Sequence, residues 1–166
     1  GSGAIIISDS YPVTPLDIQP EVYELAKQKK IRLCLEYPDK LPDLPIQKET
    51  FHASMERGVI TCTELTNMKP MDIIGINDCY TRVAEVDDPL IVLARVAGFD
   101  RAEYGIDDVE TYPLLCEKDC MLIAFTKLSN FRTGRYEPVA SWQSVWKYII
   151  SYITDDPDFT FSTAWP

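Results

Sequence analysis

Apolar positions along the chain fall into three rhythms. Two runs are almost wholly apolar: Asp72–Ile76 (DIIGI) and Leu90–Val96 (LIVLARV). The first stops at Asn77-Asp78-Cys79 and the second at Gly98-Phe99-Asp100. Runs of this kind predict strands covered on both faces. Thr111–Cys116 and Cys120–Thr126 (CMLIAFT) extend the same class, and Glu117-Lys118-Asp119 between them reads as a hairpin turn. Ile31–Tyr37 alternates, with Ile31, Leu33, Leu35 and Tyr37 facing one way, and predicts a strand. Gly58–Cys62 reads as another, and Ala4–Ile7 as an edge strand or an extended piece.

The helical rhythm is clearest in Pro138–Ile153, where Trp142, Val145, Trp146, Ile149 and Ile153 recur at helix spacing behind a proline in the first turn. Glu21–Lys30 is a shorter helix opened by Pro20 and closed by lysines. Pro38, Pro42 and Pro45 enforce an extended loop. Glu49–Glu56 is predicted as a helical turn, and Thr63–Asn67 as a short helix or turn. About six strands with few long helices predict an α/β chain. The expected architecture is a three-layer sandwich: a mostly parallel, flavodoxin-like sheet with helices on both faces and a hairpin near its end.

The 166 residues fit one domain, with a net charge of −10. That charge argues against a nucleic-acid partner and against an anionic membrane surface. No apolar run approaches the roughly 20 residues of a membrane span. Residues 1–3 read as an expression scar, 4–155 as a single domain, and 156–166 as a tail or the start of a linker to a downstream domain. Cys34, Cys62, Cys79, Cys116 and Cys120 show no metal-site spacing, and one histidine is too few for a zinc site with them. Neither a metal nor a cofactor is expected. Buried thiols are the simplest reading, with a Cys116–Cys120 bridge left open.

Cys79 lies just past an apolar strand, where a nucleophile could sit, but no glycine flanks it as a sharp elbow requires. His52 is the only histidine, so any Cys–His or Ser–His–Asp catalyst would need it. Glu36, Asp78, Asp100 and Glu103 are candidate paired carboxylates, with Glu36 and Asp78 the pair carried forward. Arg57, Arg95, Lys127, Arg132 and Arg135 interleave with Tyr37, Tyr80, Tyr104 and Tyr136 at expected strand ends. From this set Arg57, Tyr80, Arg95, Lys127 and Arg135 form the candidate ligand-binding group. Arg95 interrupts an apolar run, so a buried partner, Glu36 or Asp78, is expected for it.

The stretches EYPDKLP (Glu36–Pro42), ARVAGFDRAEYG (Ala94–Gly105) and FTKLSNFRTGRYEP (Phe125–Pro138) resemble the class I glutamine amidotransferase-like domain found N-terminal in large bacterial carbohydrate-active proteins. The likeness runs from about Ile31 to Ile153. It implies a flavodoxin-like sheet, an accessory role in polysaccharide processing, and a periplasmic or secreted setting, with the compartment otherwise undecided. Amidotransferases of that class carry G-x-C-x-G and a later H-x-E. Here the stretch is Asn77-Asp78-Cys79-Tyr80-Thr81 and no histidine follows it.

The expected function is therefore a non-catalytic domain that docks on, or shapes the active site of, a downstream catalytic domain of the same polypeptide, with carbohydrate as a further candidate partner. Two alternatives stand beside it: a small hydrolase or transferase using Cys79 or the Glu36/Asp78 pair, and a sugar-binding module.

Overall fold

A computed structural model describes residues 2–76, 78–130 and 139–160. The strands are β1 (Ser2–Ile6), β2 (Ile31–Glu36), β3 (Ile46–Ala53), β4 (Arg57–Ile60), β5 (Ile73–Ile74), β6 (Cys79–Ala84), β7 (Ile91–Ala94), β8 (Thr111–Lys118) and β9 (Met121–Ala124). The helices are α1 (Pro20–Lys29) and α2 (Val139–Thr154), with a 3₁₀ turn at Leu128–Asn130. Seven strands form one sheet in the order β1-β2-β9-β8-β7-β4-β5, and β3 pairs with β6 in a separate ribbon.

This overturns the flavodoxin-like expectation. The sheet is a mixed, curled half-barrel, not the middle layer of a sandwich. Only β1–β2 and β2–β9 are parallel; β9–β8, β8–β7, β7–β4 and β4–β5 are antiparallel. The reason lies in the connections. Parallel neighbours need a long crossover, usually a helix. Between β7 and β8 the chain has only turns and one isolated bridge, so it comes back antiparallel. The apolar pattern of Leu90–Val96 correctly marks burial, since all four β7 residues are buried, but burial does not encode direction.

Asp72–Ile76 is displaced further. It yields the two-residue β5 at the sheet edge. Ile73, Ile74 and Ile76 are still buried, because the edge is closed by chain from the β7–β8 loop: Ile73 N–H donates to the Asp100 carbonyl at 2.9 Å and Ala102 N–H to Met71 at 2.8 Å.

α2 lies in the hollow of the half-barrel, touching β1 and β2 near one edge and β5 at the other. Trp142, Val145 and Ile149 pack there with Cys34, Ile60, Ile74 and Leu122. The Trp142 indole donates to the Gly75 carbonyl at 3.1 Å. α1 covers the opposite face, where Tyr23 and Ala26 meet Leu33, Leu35 and Ile123. Pro20 opens α1, and Lys30, at φ 54°, ends it by donating its N–H to Ala26 and Lys27 carbonyls. The β8–β9 hairpin forms as its sequence reads, with Asp119 at φ 55° in the turn.

The β3–β6 ribbon is the element the sequence reading misses. Glu49–Glu56, expected as a helical turn, is largely strand β3. Phe51 pairs with Thr81 across the ribbon and stacks on Tyr112 of β8 with ring centroids 4.0 Å apart; cross-strand pairing and packing on the sheet together override a weak local helical preference. The ribbon is not laid beside the sheet. Its Ala53–Cys79 end joins the core around α2, and its Ile46–Ala84 end joins the core around α1. It therefore runs across the end of the sheet.

Candidate functional site

The strand directions bring the C-terminal ends of β2, β9 and β7 and the N-terminal ends of β8 and β4 to one rim of the half-barrel. Glu36, Thr126, Lys127, Arg95, Tyr112 and Arg57 all stand at or next to those ends. In open parallel sheets such an end is where a ligand crevice forms. Here the ribbon occupies it. Arg82 N–H donates to the Phe125 carbonyl at 2.8 Å, the Thr81 hydroxyl to the same oxygen at 3.2 Å, and the Thr126 hydroxyl to the Tyr80 carbonyl at 2.8 Å. The Tyr11 hydroxyl accepts from Tyr80 N–H at 2.7 Å and lies 3.1 Å from the Thr126 hydroxyl. Tyr37, Phe125 and Thr126 are fully buried at this junction, as is Thr81 of the ribbon itself.

Ribbon register decides the fate of the two catalytic suspects. Ala53 lies opposite Cys79, and His52 opposite Tyr80. Side chains alternate along a strand, so Cys79 and His52 project from opposite faces. Cys79 is buried, and burial is the main force pushing its thiol pKa up to about 12. A thiolate nucleophile at neutral pH is disfavoured there. His52 faces outward, with Nε2 2.6 Å from the Asp78 carboxylate and its ring stacked on Tyr80 at 4.4 Å. Asp78, at φ 55° in the turn before β6, is exposed. Histidine and carboxylate thus form a surface couple without a nucleophile from Cys79.

Glu36 and Asp78 do not form a catalytic pair. Glu36 is buried at the end of β2, where its carboxylate accepts from Ser129 N–H at 2.7 Å and the Ser129 hydroxyl at 2.8 Å. Desolvation raises its pKa, against the pull of those two hydrogen bonds and of nearby Lys127. Asp78 is engaged with His52 on the outer face.

Arg95 corrects another expectation. It is exposed, one residue past β7, and is not the buried cation of this fold. The charge it faces belongs to Glu56. That carboxylate is partly desolvated, which raises its pKa, yet backbone N–H groups of Glu56, Met55 and Ser54 together with Arg95 bring it below the usual value. Among the described residues the buried arginine is Arg82, at 4% exposure, 3.4 Å from Asp39. It also donates to the Gln47 carbonyl at 2.9 Å and the Lys48 carbonyl at 3.3 Å, and lies 5.9 Å from the Tyr37 ring centroid. A polar residue alternating with Thr81 and Val83 in a run of strand formers was the available signal for it.

Arg57 has a structural task, donating to the carbonyls of Gly98 at 2.5 Å and Phe99 at 2.9 Å. Arg132, Arg135 and Tyr136 lie outside the described residues, as does Trp165. Trp142 is core, so it offers no stacking platform to a sugar. All five cysteines are free, Cys116 and Cys120 included.

Among the described residues no group of three or more His, Cys, Asp or Glu is placed to hold a metal ion. No described helix is long and apolar enough to cross a membrane. Open grooves of about 420 and 360 Å³ flank α2, lined by residues such as Asp72, Ser141, Lys147 and Tyr152. They do not include Cys79, His52, Glu36 or Arg95. No family model, curated protein or solved structure matches the chain.

Proposed function

We propose that this chain is a non-catalytic module that works by binding another protein surface. The observation that carries the reading is the sealed rim. The ribbon fills the strand ends where a reacting group would need open space, and its register turns Cys79 inward and His52 outward. The acids nominated for chemistry are engaged separately: Glu36 holds the Ser129 turn, and Asp78 holds His52. What remains accessible is surface carried on a hydrogen-bonded sheet and ribbon, a scaffold that suits recognition.

The test is alkylation of the native protein with iodoacetamide at neutral pH, mapped by mass spectrometry. Cys79 is expected to stay unmodified until denaturant is added. A Cys79 that reacts natively, ahead of the half-buried Cys62, would overturn the reading and return the thiol to the list of nucleophiles.

A further inference from the structure

The β7–β8 connection is long, yet it is tied down at many points. Arg57 grips the Gly98 and Phe99 carbonyls; Glu103 N–H donates to Ala97 at 3.1 Å and Gly105 N–H to Ala102 at 3.3 Å. Arg101 pairs with Asp72 at 3.4 Å, and Ala102 is buried against Val59, Val92 and Ala94. Gly98 takes φ 119°, and a Cβ there would overlap the Arg101 carbonyl. This much anchoring displays two large rings to solvent: Phe99 is 60% exposed and Tyr104 87%. Rings held out on a fixed backbone have already lost the conformational freedom that binding would otherwise remove.

The surroundings of those rings name the partner's charge. Residues 99–110 carry five exposed acids and one arginine; that arginine is paired with Asp72, nearby Arg57 is engaged by the Gly98 and Phe99 carbonyls, and exposed Arg95 faces Glu56. A chain of net charge −10 repels anionic partners from such a patch and draws cationic ones. Exposed rings on an acid-rich loop suit arginine and lysine side chains, which can stack on a ring and pair with a carboxylate. We propose that the 98–110 loop is a docking epitope for a cationic protein segment, with Phe99 and Tyr104 as its anchors. The inference rests on the non-catalytic reading and deepens it by naming the surface and the partner's chemistry.

The test uses the full chain, ¹⁵N-labelled, titrated with an alternating arginine–alanine octapeptide and with its glutamate–alanine counterpart. Amide shifts are expected within residues 95–110 and the adjoining Ser54–Arg57 turn with the cationic peptide, fading as salt rises, and none with the anionic one. The double variant Phe99→Ala/Tyr104→Ala is expected to bind at least tenfold more weakly at unchanged melting temperature. Shifts spread equally over other acidic loops, such as that holding Asp87 and Asp88, or binding indifferent to the double variant, would overturn the epitope. That failure is separable from failure of the wider reading: the epitope falls on these shifts, the non-catalytic reading on native alkylation of Cys79.

Discussion

Cys79 and His52 occupy one ribbon and face away from each other, a consequence of the Ala53–Cys79 and His52–Tyr80 pairings. The pairing predicts distinct chemical behaviour for the five thiols. Burial pushes Cys34, Cys79 and Cys116 up to about 12, whereas Cys62 and Cys120 are only partly covered. A colorimetric thiol titration of the native protein at pH 8 is expected to find no more than two reactive groups, and five after unfolding. Substituting His52→Ala is expected to change stability by less than about 1 kcal/mol, because its contacts with Asp78 and Tyr80 are exposed.

Arg82 predicts a ranking. Arg82→Met removes ties to Asp39, Gln47 and Lys48 together and is expected to cost about 2–4 kcal/mol in urea unfolding. Arg82→Lys should lie between, since an ammonium cannot reproduce the guanidinium fork. Asp39→Asn leaves both carbonyl contacts in place at a partly exposed site and is expected to cost about 1 kcal/mol. An Asp39→Asn loss as large as that of Arg82→Met would show that charge pairing, not the carbonyl ties, holds the ribbon.

Glu36 predicts a pH effect. Its folded-state pKa is raised above the ordinary 4.5, chiefly by burial. The folded protein therefore binds this proton more tightly than the unfolded chain does. The Glu36 contribution favours the fold at low pH and is lost as pH climbs from 4.5 through the raised folded value. Glu36→Gln, which keeps an oxygen for Ser129 N–H, is expected to gain stability relative to the parent as pH rises from 4 to 7. Urea midpoints at each pH read this directly; a difference that stays flat or falls would contradict it.

Gly98→Ala predicts a local defect. Its left-handed backbone and the Arg101 carbonyl leave no room for a methyl group, so the 97–103 turn must rearrange at about 1–3 kcal/mol. Amide exchange of Glu103 and Ala102, whose N–H groups bond to Ala97 and Met71, is expected to accelerate, while that of β9 stays unchanged.

The sequence was most legible where local signals and burial coincide. α2 shows its stripe at Trp142, Val145 and Ile149; α1 shows Pro20 and its lysines; the β8–β9 hairpin shows its turn. It was least legible where long-range pairing decides. Ile73 and Ile74 look like the middle of a sheet because loop residues Asp100 and Ala102 cover an edge. Tyr80-Thr81-Arg82-Val83 carries strand formers, yet its partner is distant Phe51–Ala53, whose local pattern suggests a turn of helix. The rim residues Glu36, Arg57, Arg95 and Lys127 were nominated as strand-end groups, but no spacing rule could reveal that the chain's own ribbon would bond to Phe125 and Thr126 at that rim and leave Arg95 exposed beside it. Phe99 was read only as punctuation, since exposure of a ring follows from tertiary anchoring and not from local pattern.

The parallel join of β2 to β9 has a kinetic meaning. Leu33 pairs with Met121, so the inner edge of β2 is matched only by chain that lies beyond the whole β3–β8 stretch. β1 in turn depends on β2. Large loop-closure entropy precedes any gain from these contacts, and topologies of this sort fold in about milliseconds to seconds. Refolding followed by tryptophan fluorescence should be slow on that scale. During the delay the apolar β2 edge is open to other chains, so yield should fall as refolding concentration rises.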